Sequence, residues 1–172
     1  MRTRSSSRTT QVKNRRPHNS ALGTGLRLLS GRAHSRVEMQ RKLALRGYTS
    51  EEVDAALVRL DELGYLNDLA FAEGLVRVRS TSRGPRALSA ELAKRGVGRA
   101  QADQALAGYD DALQLASAMR IIERTYGKRE ITDYRELLNR VGSRLLRQGF
   151  SAITVRAACR AVISGTPPGY EA

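Results

Sequence analysis

The sequence predicts an all-α protein: a tandem array of three three-helix repeats, elongated and curved, behind a disordered basic N-terminal arm. Three observations predict it. Aromatic residues make up 5% of the 172 residues and Trp is absent, so the core must rest on Leu, Ala and Val, and the residues that strands favour are scarce. Apolar positions recur with helical spacing from Ala21 onward. A pattern anchored on glycine also returns three times, at Gly47, Gly96 and Gly149, 49 and 53 residues apart.

Residues 1–20 carry six basic residues, no acid and no hydrophobic period, which predicts the disordered arm. Leu22, Leu26 and Leu29 then form one helical stripe. Ser35 and Glu38 are placed as a capping box opening a helix that Gly47 ends in a left-handed turn. Thr49 and Glu52 offer a second box, before an apolar face of Val53, Ala56, Leu57, Leu60 and Leu63. Asn67 or Asp68 starts the next helix, with Phe71, Leu75 and Val78 on one side, and Tyr65 is expected to plug the repeat junction. Gly84-Pro85 puts proline at a first helical position, for a helix carrying Leu88 and Leu92. A short helix with Ala102, Ala105 and Leu106 follows. Leu115, Met119, Ile122 and Tyr126 mark a helix ending near Gly127. Asp133 and Glu136 cap another, with Leu138, Val141 and Leu145, and the last helix holds Ile153, Ala157 and Ile163.

The glycines align the repeats. Four residues before them stand Leu43, Leu92 and Leu145; one residue after, Tyr48, Val97 and Phe150; nine and ten after, Ala56-Leu57, Ala105-Leu106 and Ala158-Cys159. Units this small are expected to stack and share a core. The expected divisions are an arm over 1–20, repeats over 21–66, 67–109 and 110–165, and a tail over 166–172.

A net charge of +13 predicts polyanionic partners, with nucleic acid or a nucleoprotein first among them. No run reaches the roughly 18 apolar residues of a transmembrane helix, and the Arg- and Ser-rich start lacks the apolar core of a secretory signal. A cytoplasmic protein without membrane partner is expected. The single cysteine, Cys159, reads as a buried core residue, and two histidines suggest neither a metal cluster nor any cofactor.

The charge is uneven. Residues 1–47 hold twelve basic residues and one acid, whereas residues 48–84 hold four and seven. Arg32, Arg36, Arg41, Lys42 and Arg46 crowd the second helix; Arg140, Arg144, Arg147, Arg156 and Arg160 recur near the C-terminus at helical spacings. These ten are the candidate contacts to phosphates or an acidic surface. No nucleophile–base–acid set can be assembled and Gly23-Thr24-Gly25 lacks the lysine of a phosphate loop, so the chain does not read as an enzyme. A glycine turn between helices also describes a helix-turn-helix regulator of transcription. Against that rival, residues 50–63 carry Glu51, Glu52, Asp54, Asp61 and Glu62 with Arg59 alone, a helix that phosphates would repel. An adaptor for an unrelated acidic protein is a further reading that the repeats allow.

The blocks Ser35-Arg36-Val37-Glu38-Met39, Lys42-Leu43 and Gly47-Tyr48 resemble the opening of RecX regulatory proteins. Gly64-Tyr65-Leu66-Asn67-Asp68 with Phe71-Ala72, then Gly84-Pro85 through Gly96-Val97, and Arg144-Leu145-Leu146-Arg147-Gln148-Gly149-Phe150, resemble later blocks of the same family, in order. The likeness spans about residues 22–163, with Met39 where a leucine is typical and Gln148 where a basic residue is common. The resemblance implies a tandem array of three-helix repeats that binds, without cofactor, within the groove of the filament of the recombinase RecA on DNA; a monomer that also contacts single- and double-stranded DNA non-specifically, through its phosphates, is expected. The resemblance further implies inhibition of recombinase ATP hydrolysis and strand exchange.

Overall fold

The computed structural model describes residues 19–126 and 133–165. The basic arm up to residue 18, residues 127–132 and the C-terminal residues 166–172 lie outside them. The described residues form α1 (Ala21–Gly31), α2 (Arg36–Ala44), α3 (Ser50–Glu62), α4 (Asp68–Arg79), α5 (Pro85–Lys94), α6 (Arg99–Ala107), α7 (Asp111–Tyr126), α8 (Tyr134–Arg147) and α9 (Ala152–Ser164), with no strand among them. The helices pack in consecutive triplets, the first and third of each lying against one another.

Local chemistry starts most of these helices where the sequence places them. Oxygens of Ser20, Ser35, Thr49, Asn67, Asp133 and Ser151 each accept a backbone N–H in the first turn, satisfying a donor that otherwise has no partner. Thr49 and Glu52 form the complete capping box. Ser35 and Glu38 form only half of one. Ser35 accepts from Glu38 N–H, but the Glu38 carboxylate is drawn to His34, Arg32 and Arg95 instead of the cap. Asn67 is the cap of α4, which leaves Asp68 for another task described below.

The repeat register is realised in packing. Leu43, Leu92 and Leu145 are almost wholly buried, as are Tyr48, Val97 and Phe150 on the far side of each glycine. Gly47, Gly96 and Gly149 all adopt positive φ, as does Gly64. The expectation of a shared core is not met. Three hydrophobic clusters form, one inside each triplet: Met39, Leu43 and Leu60 centre the first, Leu88 and Leu92 the second, Ile122, Leu145 and Phe150 the third. The triplets therefore meet through polar groups and backbone.

Several apolar residues face outward against expectation. Tyr65 is 55% exposed and plugs nothing; Leu66 beside it is buried instead. Leu63, Val78 and Ile153 are also exposed, the last at 79%. For Val78 and Ile153 the helical spacing admits two neighbouring faces, and the buried one is set by Ala72 and Val76 in α4 and by Val155, Ala158 and Cys159 in α9. Burial pushes the Cys159 thiol up to about 11, which keeps it protonated and unreactive, in line with a core role.

Candidate functional site

The three middle helices, α2, α5 and α8, carry the organisation of the whole chain. Each ends at a repeat glycine. Twelve residues before the glycine stand Ser35 in repeat 1 and Gly84 in repeat 2, and both dock on the glycine turn of the next repeat. The Ser35 hydroxyl donates to the Arg95 carbonyl, and the Arg41 guanidinium reaches the Lys94 carbonyl. At the second junction the Gly84 and Arg86 N–H groups donate to the Gln148 and Gly149 carbonyls, at 2.8 and 3.3 Å. So the carbonyl end of α5 meets the amide end of α2, and that of α8 meets that of α5. Opposite ends of helix dipoles are in contact at both places, which is favourable. In repeat 3 the corresponding position is Leu137, buried one turn inside a longer α8. That helix does not repeat the docking end.

Close approach requires the glycines. A Cβ on Gly96 would collide with Val37, one on Gly149 with the backbone of Ala87, and one on Gly84 with the Gly149 carbonyl and Phe150 N. The backbone docking is common to both junctions, but the side chains on it differ. At the first, Arg95 pairs with Glu38 and Glu91 at 2.9 Å each and lies over the Phe71 ring. Asp68, freed from capping, accepts from Arg36 N–H at 2.8 Å across the same junction. At the second, the positions matching Glu38 and Arg95 are Ala87 and Gln148, and the Gln148 Oε1 is buried with no hydrogen-bond partner among the described residues. One junction is tied by ion pairs; among the described residues the other has none and docks through backbone hydrogen bonds.

Glu38 also takes the Nδ1–H of buried His34 and the Arg32 guanidinium, both at 3.1 Å. Burial pushes the Glu38 carboxyl up, but the hydrogen bonds from His34 and Arg32 and the charges of Arg32 and Arg95 outweigh it and lower its pKa. Burial lowers the His34 pKa, against the pull of Glu38. Both groups therefore bind protons more readily in the unfolded chain. Their stabilisation is present at pH 7, above both unfolded values, and is lost on acidification through the His34 and then the Glu38 range. Thermal midpoints of the wild type and Glu38→Gln, measured between pH 7 and 4, are expected to converge as pH falls. A gap that stays constant overturns the assignment.

The ten predicted cations are not equivalent. Arg32 pairs with Glu38, Arg36 with Asp61 at 3.6 Å, and Arg140 with Glu136 at 2.7 Å. Arg41 and Arg46 donate to the Lys94 and Lys42 carbonyls. Lys42, Arg144, Arg147, Arg156 and Arg160 make no ion pair with a described carboxylate, and Arg160 lies 6.0 Å from the Tyr134 ring centre. The first cluster thus spends much of its charge on partners within the protein, mostly inside repeat 1, whereas the C-terminal one is mostly open to solvent. Sequence reasoning missed Arg95, the central cation of the first junction. The signal was there in the repeat alignment: the residue before each glycine reads Arg46, Arg95 and Gln148, and nine before reads Glu38, Ala87 and Arg140.

Beside the first junction lies an open cleft of about 520 Å³ lined by Arg36, Asp61, Gly64, Asn67, Asp68 and Gln101. Among the described residues no group of His, Cys, Asp and Glu could hold a metal ion, and no helix is long and apolar enough to cross a membrane.

Comparison with known proteins agrees with this architecture. Residues 21–60 match the family model of the first three-helix domain of RecX, and residues 67–106 that of the second. The regulatory protein RecX of Mycolicibacterium vanbaalenii is 37% identical over 134 residues, covering 73% of each chain. That of Halorhodospira halophila is 41% identical over 139 residues, or 79% of this chain and 84% of the relative. The crystal structure of RecX from Lactobacillus salivarius superposes with a TM-score of 0.71 at 24% identity, over 83% of this chain and 94% of that one, and supports the fold. Tandem three-helix repeats and identity over most of two relatives lead to one conclusion: the chain belongs to the RecX family of regulatory proteins.

Proposed function

We propose that this protein binds the filament of RecA on DNA and restrains it, lowering ATP hydrolysis and strand exchange by occupying the filament rather than by catalysis. Family membership supplies the partner. The observation in this chain that carries the reading is the docking of α2, α5 and α8 end to end, which sets basic side chains along successive repeats. At 1.5 Å per residue the three middle helices supply roughly 50 Å of helix, a length suited to an extended partner with a repeating surface. The cations assigned to contact are Arg32, Arg36, Arg41, Lys42 and Arg46 at one end and Arg140, Arg144, Arg147, Arg156 and Arg160 at the other, with those lacking ion pairs contributing most.

The acidic, exposed side chains of α3 suit a protein surface better than phosphates, so a partner offering both is favoured over bare DNA. The test is DNA-dependent ATP hydrolysis by RecA of the same organism with the protein titrated onto pre-formed filaments. Loss of hydrolysis at substoichiometric protein is expected. Unchanged hydrolysis by a protein that still binds DNA would sink the proposal and favour a DNA-binding module.

A further inference from the structure

The third helix of each repeat follows a repeat glycine, so α3, α6 and α9 occupy matching places. Their chemistry is not matched. α3 carries five acids and one arginine, α6 one acid and one arginine, and α9 two arginines and no acid. Seven residues after the glycine stand Asp54, Asp103 and Arg156; eleven after, Val58, Ala107 and Arg160; four after, Glu51, Ala100 and Ile153. All nine side chains are exposed. The same architectural slot is thus negative in repeat 1, neutral in repeat 2 and positive in repeat 3.

From this we infer that α9 is the nucleic-acid-facing helix of the protein, and that it grips the sugar–phosphate backbone through Arg156 and Arg160. The inference rests on the reading that the protein works on DNA, and it names the element that touches it. Ile153, Arg156 and Arg160 lie three and four residues apart and share one face of the helix. Arg156 and Arg160 are separated by about 6 Å along the axis, close to two steps of the roughly 3.4 Å rise along one strand. Tyr134 at the start of α8 lies under the Arg160 guanidinium and limits its swing. Ile153 gives the same face an exposed apolar tip that can lie against a base beside the gripped phosphates. Arg144 and Arg147, exposed on the preceding helix, add charge to the same repeat. An acidic protein would be drawn by the charge alone. The helix-turn-helix setting and the pairing of cations with an apolar tip favour nucleic acid.

The experiment measures binding of the full chain to a fluorescent 30-nucleotide single strand, without recombinase, as a function of salt. The variant is Arg156→Ala/Arg160→Ala. Its control is Arg59→Ala/Arg99→Ala, which removes the same charge from α3 and α6, where both arginines are exposed and paired with nearby carboxylates. The α9 pair is expected to weaken binding at least tenfold and to reduce the slope of log affinity against log salt by about 1.4, from two lost phosphate contacts on a single strand. The control should lose less than threefold, and Arg156→Lys/Arg160→Lys should restore the slope. Equal losses in variant and control would overturn the inference, as would displacement of the strand by polyglutamate as effectively as by unlabelled DNA. Because recombinase is absent, the result is separate from the filament test: DNA binding that depends on α9 stands even where ATP hydrolysis is untouched.

Discussion

Replacing Phe150 with alanine is expected to unfold the third repeat while leaving the first two folded. Phe150 is fully buried and stands at the centre of the cluster formed by Ile122, Leu145, Val155 and Cys159. Truncating such a side chain costs about 3–5 kcal/mol from lost burial and the cavity left behind. In a protein with one core that loss would be spread over the whole molecule. Here the clusters are separate, and the triplets meet through backbone and polar groups. Stability in such arrays is the sum of each unit's own stability and its contacts with neighbours. Amide hydrogen exchange is the measurement: protection in α7, α8 and α9 should fall by two to three orders of magnitude, with α1–α6 little changed. Uniform loss across all nine described helices would mean that the junctions couple the repeats far more tightly than their chemistry indicates.

Gly149→Ala is expected to break the second junction. Gly149 has a φ of +93°, in the left-handed region, where an alanine is disfavoured by roughly 1–2 kcal/mol. Its Cβ would also collide with the backbone of Ala87, at the start of α5, which cannot rotate away as a side chain can. Overpacking of this kind adds about 1–3 kcal/mol. The natural control is Gly64→Ala, since Gly64 also has positive φ but open space where its Cβ would go. That variant should lose only the conformational part. The difference in denaturant midpoint between the two measures the collision, and equal losses would show that α5 does not sit on the Gly149 turn.

The two junctions give these variants a functional meaning. Arg95, Glu38, Glu91 and Asp68 tie repeat 1 to repeat 2, whereas at the second junction, with Ala87 and Gln148 in the matching places, no ion pair forms among the described residues. A change at Gly149 therefore acts on the joint with fewer side-chain ties, and on the placing of α9 and its arginines relative to the rest of the chain.

Much of this was legible in the residues themselves. The all-helical class, the glycine register and the caps at Ser35, Thr49 and Asp133 follow from local rules, because a capping oxygen or a left-handed glycine acts within one turn of its own position. Leu43, Leu92 and Leu145 were readable as core because each repeat buries the same place. What sequence could not decide was between neighbours with equal local claims. Asn67 and Asp68 can both cap a helix; only the nearness of Arg36 N–H assigns Asp68 to the junction. Tyr65 and Leu66, or Ile153 and Val155, fit helical or turn spacing equally; the first cluster takes in Leu66, and the packing of α9 against α7 and α8 buries Val155. Glu38 has the spacing of a capping box, yet a partner 57 residues away in the chain claims it, because charge attraction acts through space and takes no account of sequence distance. Local conformation is thus written residue by residue, while the pairing of Glu38 with Arg95, the separation of the cores and the exposure of the α9 arginines exist only once the repeats are docked.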